Sequence, residues 1–374
     1  MNKKISKQAY LQQRKRLNPK VFSYLNDKYL EDFYNSSEPK LWNDYLLLAI
    51  DGSKAEVPNS QENKDLFGIS GNQYPESGQV RALISGMYDI LNGFYLDLQI
   101  AHISSSENEL AKENLNHLEI LEINQPVLSV FDRGYPSLEF IDFLEKKGIH
   151  YLFRLSSNDY KEERKNMKSC DELVSIKHSY ARLRKINKNH PESYEYMKEK
   201  GNTAVRILKS SLPSGQELAL MTDLPEKFTL SEITDLYYQR WEIEKKYNTL
   251  KNKMKFESIT GKASIYVYQD FYAQILVYNM VQDIRRNADY NAEITGYQKK
   301  MKYPMHTNEN TAIGLFKEAM IKILLEENPE TKSKQLSALQ TEMEKYVLPK
   351  RELPGHERRK NISNKYKNNQ KNTF

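Results

Sequence analysis

The sequence has a single cysteine, no long apolar run and no apolar leader at its N-terminus. One cysteine, Cys170, excludes an internal disulfide framework and a cysteine-cluster metal site. No apolar stretch approaches the roughly 20 residues that a membrane-spanning helix needs. Four of the seven histidines, His102, His117, His150 and His178, show no metal-ligand spacing. These absences predict a cytoplasmic protein without a membrane partner.

The charge is unevenly distributed along the 374 residues, which suffice for one large domain with an insertion or for two domains. Residues 1–20 carry seven Lys/Arg and no acid, and residues 345–374 carry nine Lys/Arg and two Glu. The 324 residues between them sum to −8, although the whole chain is +6. Basic ends around an acidic middle favour a polyanion held by the ends, although solubilising tails would give the same pattern.

Two short apolar runs each end in an acid. Residues 44–51 lead into Asp51 and the turn residue Gly52, and residues 126–132 lead into Asp132. Each run predicts a buried strand. Because the two strands are expected to be neighbours in one sheet, we predict that both acids lie at strand ends, close together.

Two further strand-like runs, residues 80–91 and 94–103, are joined by Asn92-Gly93. This dipeptide is preferred in two-residue hairpin turns because both positions need positive φ. Helical patterns follow at residues 106–121 and 137–147, and a last short strand at residues 149–155.

The order of these elements predicts an α/β fold, a ribonuclease-H-like mixed sheet flanked by helices. Residues 157–226 interrupt the pattern and predict a β-rich insertion. A long helix over 229–256 and helices near 264–287, 310–327 and 332–346 predict a helical C-terminal part. The predicted segments are a basic helical N-terminal segment (1–43), the core's first part (44–156), the insertion (157–226), the core's second part with the C-terminal helices (227–347) and a basic tail (348–374).

The helix predicted at 229 begins with a capping box, Thr229 and Glu232. At about 100° per residue, one face of the helix is an apolar stripe. The stripe consists of Leu236, Ile243, Tyr247, Leu250 and Met254. Tyr237, Arg240, Glu244 and Lys251 fall within about 60° of arc beside the stripe. A Glu at the edge of a buried face is expected to have a partner or a metal, and an ordinary i,i+4 ion pair with Arg240 is the alternative.

The spacing Tyr237-x2-Arg240-x3-Glu244-x6-Lys251 resembles the Y-x2-R-x3-E-x6-K signature of the insertion-sequence-4 family of DDE transposases. Four residues at fixed positions over fifteen seldom match by chance.

Two other blocks resemble the same family. Ile50-Asp51-Gly52-Ser53, followed by Pro58, is similar to its first aspartate block. Phe131-Asp132-Arg133-Gly134-Tyr135 is similar to the second, and residues 151–155 to the strand after it. The resemblance covers about residues 40 to 285.

The resemblance implies a DDE transposase whose active site is Asp51, Asp132 and Glu244. These acids would hold two Mg²⁺ ions roughly 4 Å apart, with Mn²⁺ able to substitute. Water and then a freed 3′-OH would be the nucleophiles. The implied partner is double-stranded DNA, which includes both the element ends and the target. The resemblance is also compatible with a homodimer in the DNA complex. The implied location is the cytoplasm, in association with the nucleoid.

The resemblance also implies phosphate contacts from Tyr237, Arg240 and Lys251. Trp241 would stack on a flipped base, with an ordinary core position as the alternative. Arg133 and Arg154 are candidates for the DNA backbone, and surface ion pairs are the alternative for both.

Three functions remain open from the sequence. The leading one is a catalytic transposase. The second is a truncated or decayed copy that binds DNA without transposing, because only 50 residues precede Asp51 and the segment that recognises element ends is expected to be short. The third is a ribonuclease-H-like nuclease that does not join strands.

Overall fold

The computed structural model describes residues 6–70, 78–212, 215–294 and 303–349. The chain divides into two compact units. The larger unit comprises residues 27–56 and 64–245, and the smaller unit comprises residues 1–26, 57–63 and 246–374. The predicted domain boundaries stay predictions, and the predicted basic tail lies, from residue 350 onward, outside the described residues.

Strands and helices alternate over most of the chain. The strands are β1 (Leu46–Glu56), β2 (Ile69–Ser70), β3 (Gln79–Asp89), β4 (Tyr95–His102), β5 (Val127–Phe131), β6 (His150–Arg154), β7 (Asp171–Lys177), β8 (Asn202–Ser211), β9 (Glu217–Thr222), β10 (Met305–Thr307) and β11 (Val347–Pro349). The helices are α1 (Lys7–Arg14), α2 (Lys20–Ser36), α3 (Gln61–Phe67), α4 (Glu107–His117), α5 (Leu138–Lys147), α6 (Lys161–Asn166), α7 (Tyr180–Asn189), α8 (Pro191–Lys200), α9 (Leu230–Gln239), α10 (Trp241–Asn248), α11 (Ser264–Ile294), α12 (Glu309–Leu324) and α13 (Pro329–Glu344). None of the described helices is long and apolar enough to cross a membrane.

Within the described residues, the larger unit contains a nine-stranded mixed sheet. Its order is β2-β3-β1-β5-β6-β9-β8-β7, with β4 also paired to β3. The pairs β1–β5 and β5–β6 are parallel, and the other pairs are antiparallel. This arrangement confirms the predicted mixed sheet flanked by helices.

The central strand β1 is buried on both faces. Alternate residues of a strand point to opposite faces. Leu48 and Ile50 enter a core with side chains of α4 and α5, whereas Leu47 enters a second core with Val130 and residues of α9 such as Leu236. A strand covered on both sides needs a continuous apolar run, which is what residues 46–50 supply.

The predicted hairpin is confirmed as β3 and β4, but its turn differs from the predicted type. Only Gly93 of the Asn92-Gly93 pair has a positive φ, +85°. Asn92 instead binds the buried Asp89 carboxylate through its backbone N–H (3.0 Å) and its amide Nδ2 (2.7 Å). The Tyr34 hydroxyl also donates to Asp89, over 2.6 Å. These side-chain bonds close a longer loop than a two-residue turn.

The segment predicted as a β-rich insertion, residues 157–226, contains both strands and helices. Its strands β7, β8 and β9 extend the sheet, and the three helices α6, α7 and α8 were not predicted from the sequence pattern. Arg206 of β8 is buried and makes a two-pronged contact with Asp171, in which Nε lies 2.7 Å from Oδ1 and Nη2 lies 2.5 Å from Oδ2.

The smaller unit contains the predicted C-terminal helices α11, α12 and α13 and a two-stranded sheet of β10 and β11. The first residue of α12, Glu309, accepts hydrogen bonds from Lys246 (2.7 Å), Lys253 (2.6 Å) and Arg285 (3.2 Å). Burial opposes its ionisation, yet these three cations outweigh burial and hold the pKa of Glu309 well below its usual range.

The substitution Glu309→Gln is expected to lower the free energy of unfolding by about 3 kcal/mol at neutral pH, because it removes the buried negative charge that three half-buried cations share. The folded-state pKa lies below the ordinary 4.5. The contribution of Glu309 is therefore present above that pH and is lost as the pH falls further. Urea denaturation at neutral and acid pH measures the difference between variant and wild type.

A matched control for this substitution is Glu318→Gln, on the same helix at an exposed position. It is expected to change the free energy of unfolding by no more than about 0.5 kcal/mol. Equal losses in the two variants would contradict the role of Glu309.

Candidate active site

The sheet brings Asp51 and Asp132 side by side. In the parallel pair β1–β5, Ala49 lies opposite Val130, and each aspartate follows two residues later. Asp132 comes directly after β5, as predicted. Asp51 does not end its strand, because β1 continues to Glu56 through its pairing with β3, so the prediction of a strand end and turn at Asp51 is wrong.

The helix that carries the signature packs on the face of the sheet on which the two aspartates lie. Its capping box, Thr229 and Glu232, is present as predicted, and Leu236 and Tyr237 are buried against the strands. The prediction of one continuous helix over 229–256 is wrong. Helix α9 ends and α10 begins at Arg240, whose backbone N–H donates to the carbonyl three residues earlier, Tyr237 O, over 3.1 Å. A π-helical turn follows α10 at Thr249–Lys253.

The guanidinium of Arg240 is in contact with all three predicted catalytic acids. Nη2 lies 2.8 Å from Glu244 Oε1 and 3.9 Å from Asp132 Oδ2, and Nη1 lies 3.5 Å from Asp51 Oδ2. The Arg240 side chain is 3% exposed, against 19%, 40% and 37% for Asp51, Asp132 and Glu244. The i,i+4 ion pair offered as the alternative is thus present, as one contact of three.

Burial and neighbouring charges shift the protonation of this group. Burial raises the pKa of Asp51 to about 6, although Arg240 and the Gly52 N–H lower it. Burial would lower the pKa of Arg240, but Tyr237 and the three acids outweigh it and raise that pKa above its ordinary value. The guanidinium is therefore a permanent cation, and Asp51 holds a proton more readily than an exposed aspartate.

Two aromatic side chains flank the acids. The Tyr237 hydroxyl donates to Asp132 Oδ1 over 3.0 Å, and the Arg154 guanidinium carbon lies 6.0 Å from the Tyr237 ring centre. Trp241 is 52% exposed, so the alternative of a core position is wrong. The exposed indole lies 6.0 Å from the Arg240 guanidinium carbon.

The remaining predicted DNA-binding residues lie at different places. Arg133 is exposed, directly after Asp132, and neither Arg133 nor Arg154 forms an ion pair among the described residues. Lys251 belongs to the smaller unit, within the π-helical turn, where the projection of side chains differs from that of the predicted α-helix. Its phosphate contact stays a prediction.

The donor set of Asp51, Asp132 and Glu244 fits a divalent cation. Carboxylate oxygens are the ligands that Mg²⁺ prefers, and these three already surround one buried cation, the Arg240 guanidinium. They spread around it and do not form a tight group. Among the described residues, a tighter group exists elsewhere, with ligand atoms of Glu109, Glu139 and His190 all within 4.8 Å of one another.

The carboxylates of that tighter group already have a cationic side chain between them. Lys112 Nζ lies 2.7 Å from Glu109 and 3.0 Å from Glu139. Three other histidines have polar partners of their own: His117 contacts Asp27, His150 contacts Asp223 and His178 contacts Thr203.

Two acids from adjacent strand segments and a third from a helix meet around one cation. This is the arrangement expected of a DDE enzyme. The family model described as "Transposase DDE domain" matches residues 42–280, which is more than half of the chain. The chain therefore belongs to the DDE transposase family, and the predicted resemblance is confirmed at that level.

The individual proteins to which this chain is similar share a low sequence identity with it. Transposase InsG for insertion sequence element IS4, from Escherichia coli strain K12, is 25% identical over 289 residues, which cover 74% of this chain and 61% of that protein. The chain thus spans less than two thirds of the length of that relative. A cryo-EM structure of the piggyBac transposase synaptic complex with hairpin DNA is similar with a TM-score of 0.43 and 12% identity, over 86% of this chain and 60% of that one.

Proposed function

We propose that the protein is the transposase of a bacterial insertion sequence, which cleaves phosphodiester bonds at the element's ends and joins the 3′-OH ends to target DNA. The observation that carries this proposal is the convergence of Asp51, Asp132 and Glu244 on the buried Arg240. Membership of the DDE transposase family and the similarity to the IS4 transposase support the same reaction.

In this proposal, Asp51, Asp132 and Glu244 hold two Mg²⁺ ions, for which Mn²⁺ can substitute. When bound, such ions activate the attacking oxygen and stabilise the leaving one. Tyr237 keeps the Asp132 carboxylate oriented through its hydroxyl, which leaves Oδ2 of Asp132 for a cation. The described residues thus supply acidic ligands from the sheet and from the helix.

The cations and aromatic groups of the signature helix and of the segments after the strands would bind DNA. Arg240 presents a planar fork that matches a phosphate, and Lys251 would act as a point charge on another phosphate. The exposed Trp241 can stack on an unpaired base. Arg133 and Arg154 would contact the backbone of double-stranded DNA at element ends and target, with two protein copies holding paired ends.

The test is a cleavage and joining reaction. The full-length protein is incubated with Mg²⁺ and labelled DNA that contains the sequences flanking its own gene, and the expected products are 3′-OH nicks and strand-transfer molecules. Nicks without joined products would replace the proposal with a nuclease that does not join strands. DNA binding without nicks would replace it with a decayed copy.

Binding of Mn²⁺ is expected to weaken as the pH falls through about 6, because a proton on Asp51 competes with the ion. Because the pKa of Asp51 is raised, its carboxylate is already ionised above this pH and can bind the ion directly. Below this pH the carboxyl group must first lose a proton. Calorimetric Mn²⁺ titrations in two buffers of different ionisation enthalpy measure the proton release. We expect about one more proton per ion near pH 5 than near pH 8. Equal release at both pH values would contradict this expectation.

A further inference from the structure

The signature lysine, Lys251, lies in the middle of a wide helical turn. The π-helical turn Thr249–Lys253 follows α10, and the backbone N–H of Met254 donates to the carbonyl of Thr249, five residues earlier, over 3.1 Å. An α-helical hydrogen bond spans four residues, and single wide turns of this kind are rare and often occur at functional sites. The direction in which Lys251 projects therefore depends on what holds this turn in its wide form.

One carboxylate oxygen binds both ends of the turn. Glu309 Oε2 accepts a hydrogen bond from the Thr249 hydroxyl over 2.9 Å and another from Lys253 Nζ over 2.6 Å. These two residues are the first and the last of the turn. The other oxygen, Oε1, accepts from Lys246 Nζ, three residues before Thr249, over 2.7 Å. Glu309 thus fixes the turn at both of its ends, with Lys251 midway between them.

The Glu309 carboxylate is itself held from the long helix α11. Gln282 Nε2 and Arg285 Nη1 each lie 3.2 Å from Oε1, and Arg285 Nη1 also donates to Gln282 Oε1 over 2.9 Å. The Glu309 side chain is 12% exposed, and all of these residues belong to the smaller unit. A buried acid with hydrogen-bond donors on several elements has few alternative positions, so it is a rigid reference point for the turn.

We propose that Glu309 is a positioning residue for Lys251, which sets the direction in which this lysine meets a DNA phosphate by bridging Thr249 and Lys253. The inference rests on the phosphate contact proposed for Lys251 and adds the acid that orients this contact. Glu309 acts through the turn and does not touch the phosphate, because two negative groups repel each other.

The sign of one effect distinguishes positioning from a simple charge effect. The affinity of the full-length protein for fluorescently labelled double-stranded DNA from its own gene's flanks is measured by anisotropy, without divalent metal. Removing an acid and releasing the cations that it binds would by charge alone tighten DNA binding. Positioning predicts the opposite, so Glu309→Gln is expected to weaken binding by about fivefold. Tighter or unchanged binding would overturn the inference.

A milder variant tests the same contact with little change to the fold. Thr249→Val keeps the shape of the side chain but removes the hydroxyl that donates to Glu309, and it is expected to weaken DNA binding by about threefold. The matched control is Thr307→Val, because Thr307 is also buried in the smaller unit and its hydroxyl also donates to an acid, Asp289. This control is expected to bind DNA as the wild type does. Unchanged binding by Thr249→Val, or equal losses in both variants, would overturn the inference.

The lysine variant separates the inference from the function on which it rests. Lys251→Met is expected to weaken DNA binding by about tenfold and to reduce the slope of log affinity against log salt by about one, because one phosphate contact is lost. In the Lys251→Met background, Thr249→Val is expected to cause no further loss, since the turn then has no cation to orient. A full threefold loss in that background would overturn the positioning role.

Two outcomes tell the failures apart. If Lys251→Met weakens DNA binding and Thr249→Val does not, only the positioning role of Glu309 fails. If Lys251→Met binds DNA with the affinity and salt dependence of the wild type, the phosphate contact proposed for Lys251 fails, and the inference fails with it. Thermal denaturation of each variant shows that it folds.

Discussion

Glu244→Gln is expected to reduce Mg²⁺-dependent DNA cleavage by at least about 1000-fold, because removing one acidic ligand costs several kcal/mol of transition-state stabilisation. Gel electrophoresis of labelled DNA under single-turnover conditions measures the rate. The same loss is expected for Asp132→Asn, whose carboxylate comes from the sheet and not from the helix.

Helix α10 contains a closely matched control for this substitution. Glu242 and Glu244 have equally exposed side chains, 37% each, and each binds a cation, Lys245 over 2.6 Å and Arg240 over 2.8 Å. Of these two glutamates, only Glu244 shares its cationic partner, Arg240, with the two aspartates. Glu242→Gln is therefore expected to cleave DNA at the wild-type rate. Comparable losses in both variants would mean that the helix, and not the position of Glu244, is responsible.

Arg240→Gln is expected to lower the free energy of unfolding of the metal-free protein by about 3 kcal/mol, at the lower end for a buried ion pair, because the three carboxylates that lose their cation are partly hydrated. Mn²⁺ is expected to restore much of this stability, since a divalent ion that binds the folded acids stabilises the folded state. Urea denaturation with and without Mn²⁺ measures both effects.

The control for the metal effect is another buried arginine of the larger unit. Arg206→Gln removes a two-pronged contact with Asp171 and is expected to lose stability as well. Mn²⁺ should not restore that loss, because no second or third acid surrounds Arg206 among its described contacts. Equal restoration of both variants, or of neither, would contradict the role of Arg240 as the cation that holds the three acids in the absence of metal.

Local sequence patterns were sufficient for the elements whose cause is local. The apolar runs before Asp51 and Asp132 indicated two neighbouring strands, because a strand covered on both faces has no polar alternation. The capping box at Thr229 and the apolar stripe after it indicated the helix that carries Glu244. These signals depend on residues within a few positions of one another, and the structure has the corresponding elements.

Features that depend on packing between distant segments were decided only by the tertiary structure. Pairing with β3 extends β1 past Asp51, and the tight turn at Arg240 interrupts a helix whose apolar spacing is undisturbed. The exposure of Trp241 follows from which neighbours cover its side of the helix, which a helical projection does not show.

The sequence by itself determined which residue types could form the site: two acids after apolar runs and a Glu on a spaced helical face, together with the family resemblance. Only the tertiary structure decided that Arg240 contacts all three acids. The physical reason is that periodicity reports the face on which a side chain lies, whereas the distance between two charged groups depends on how strands and helices pack.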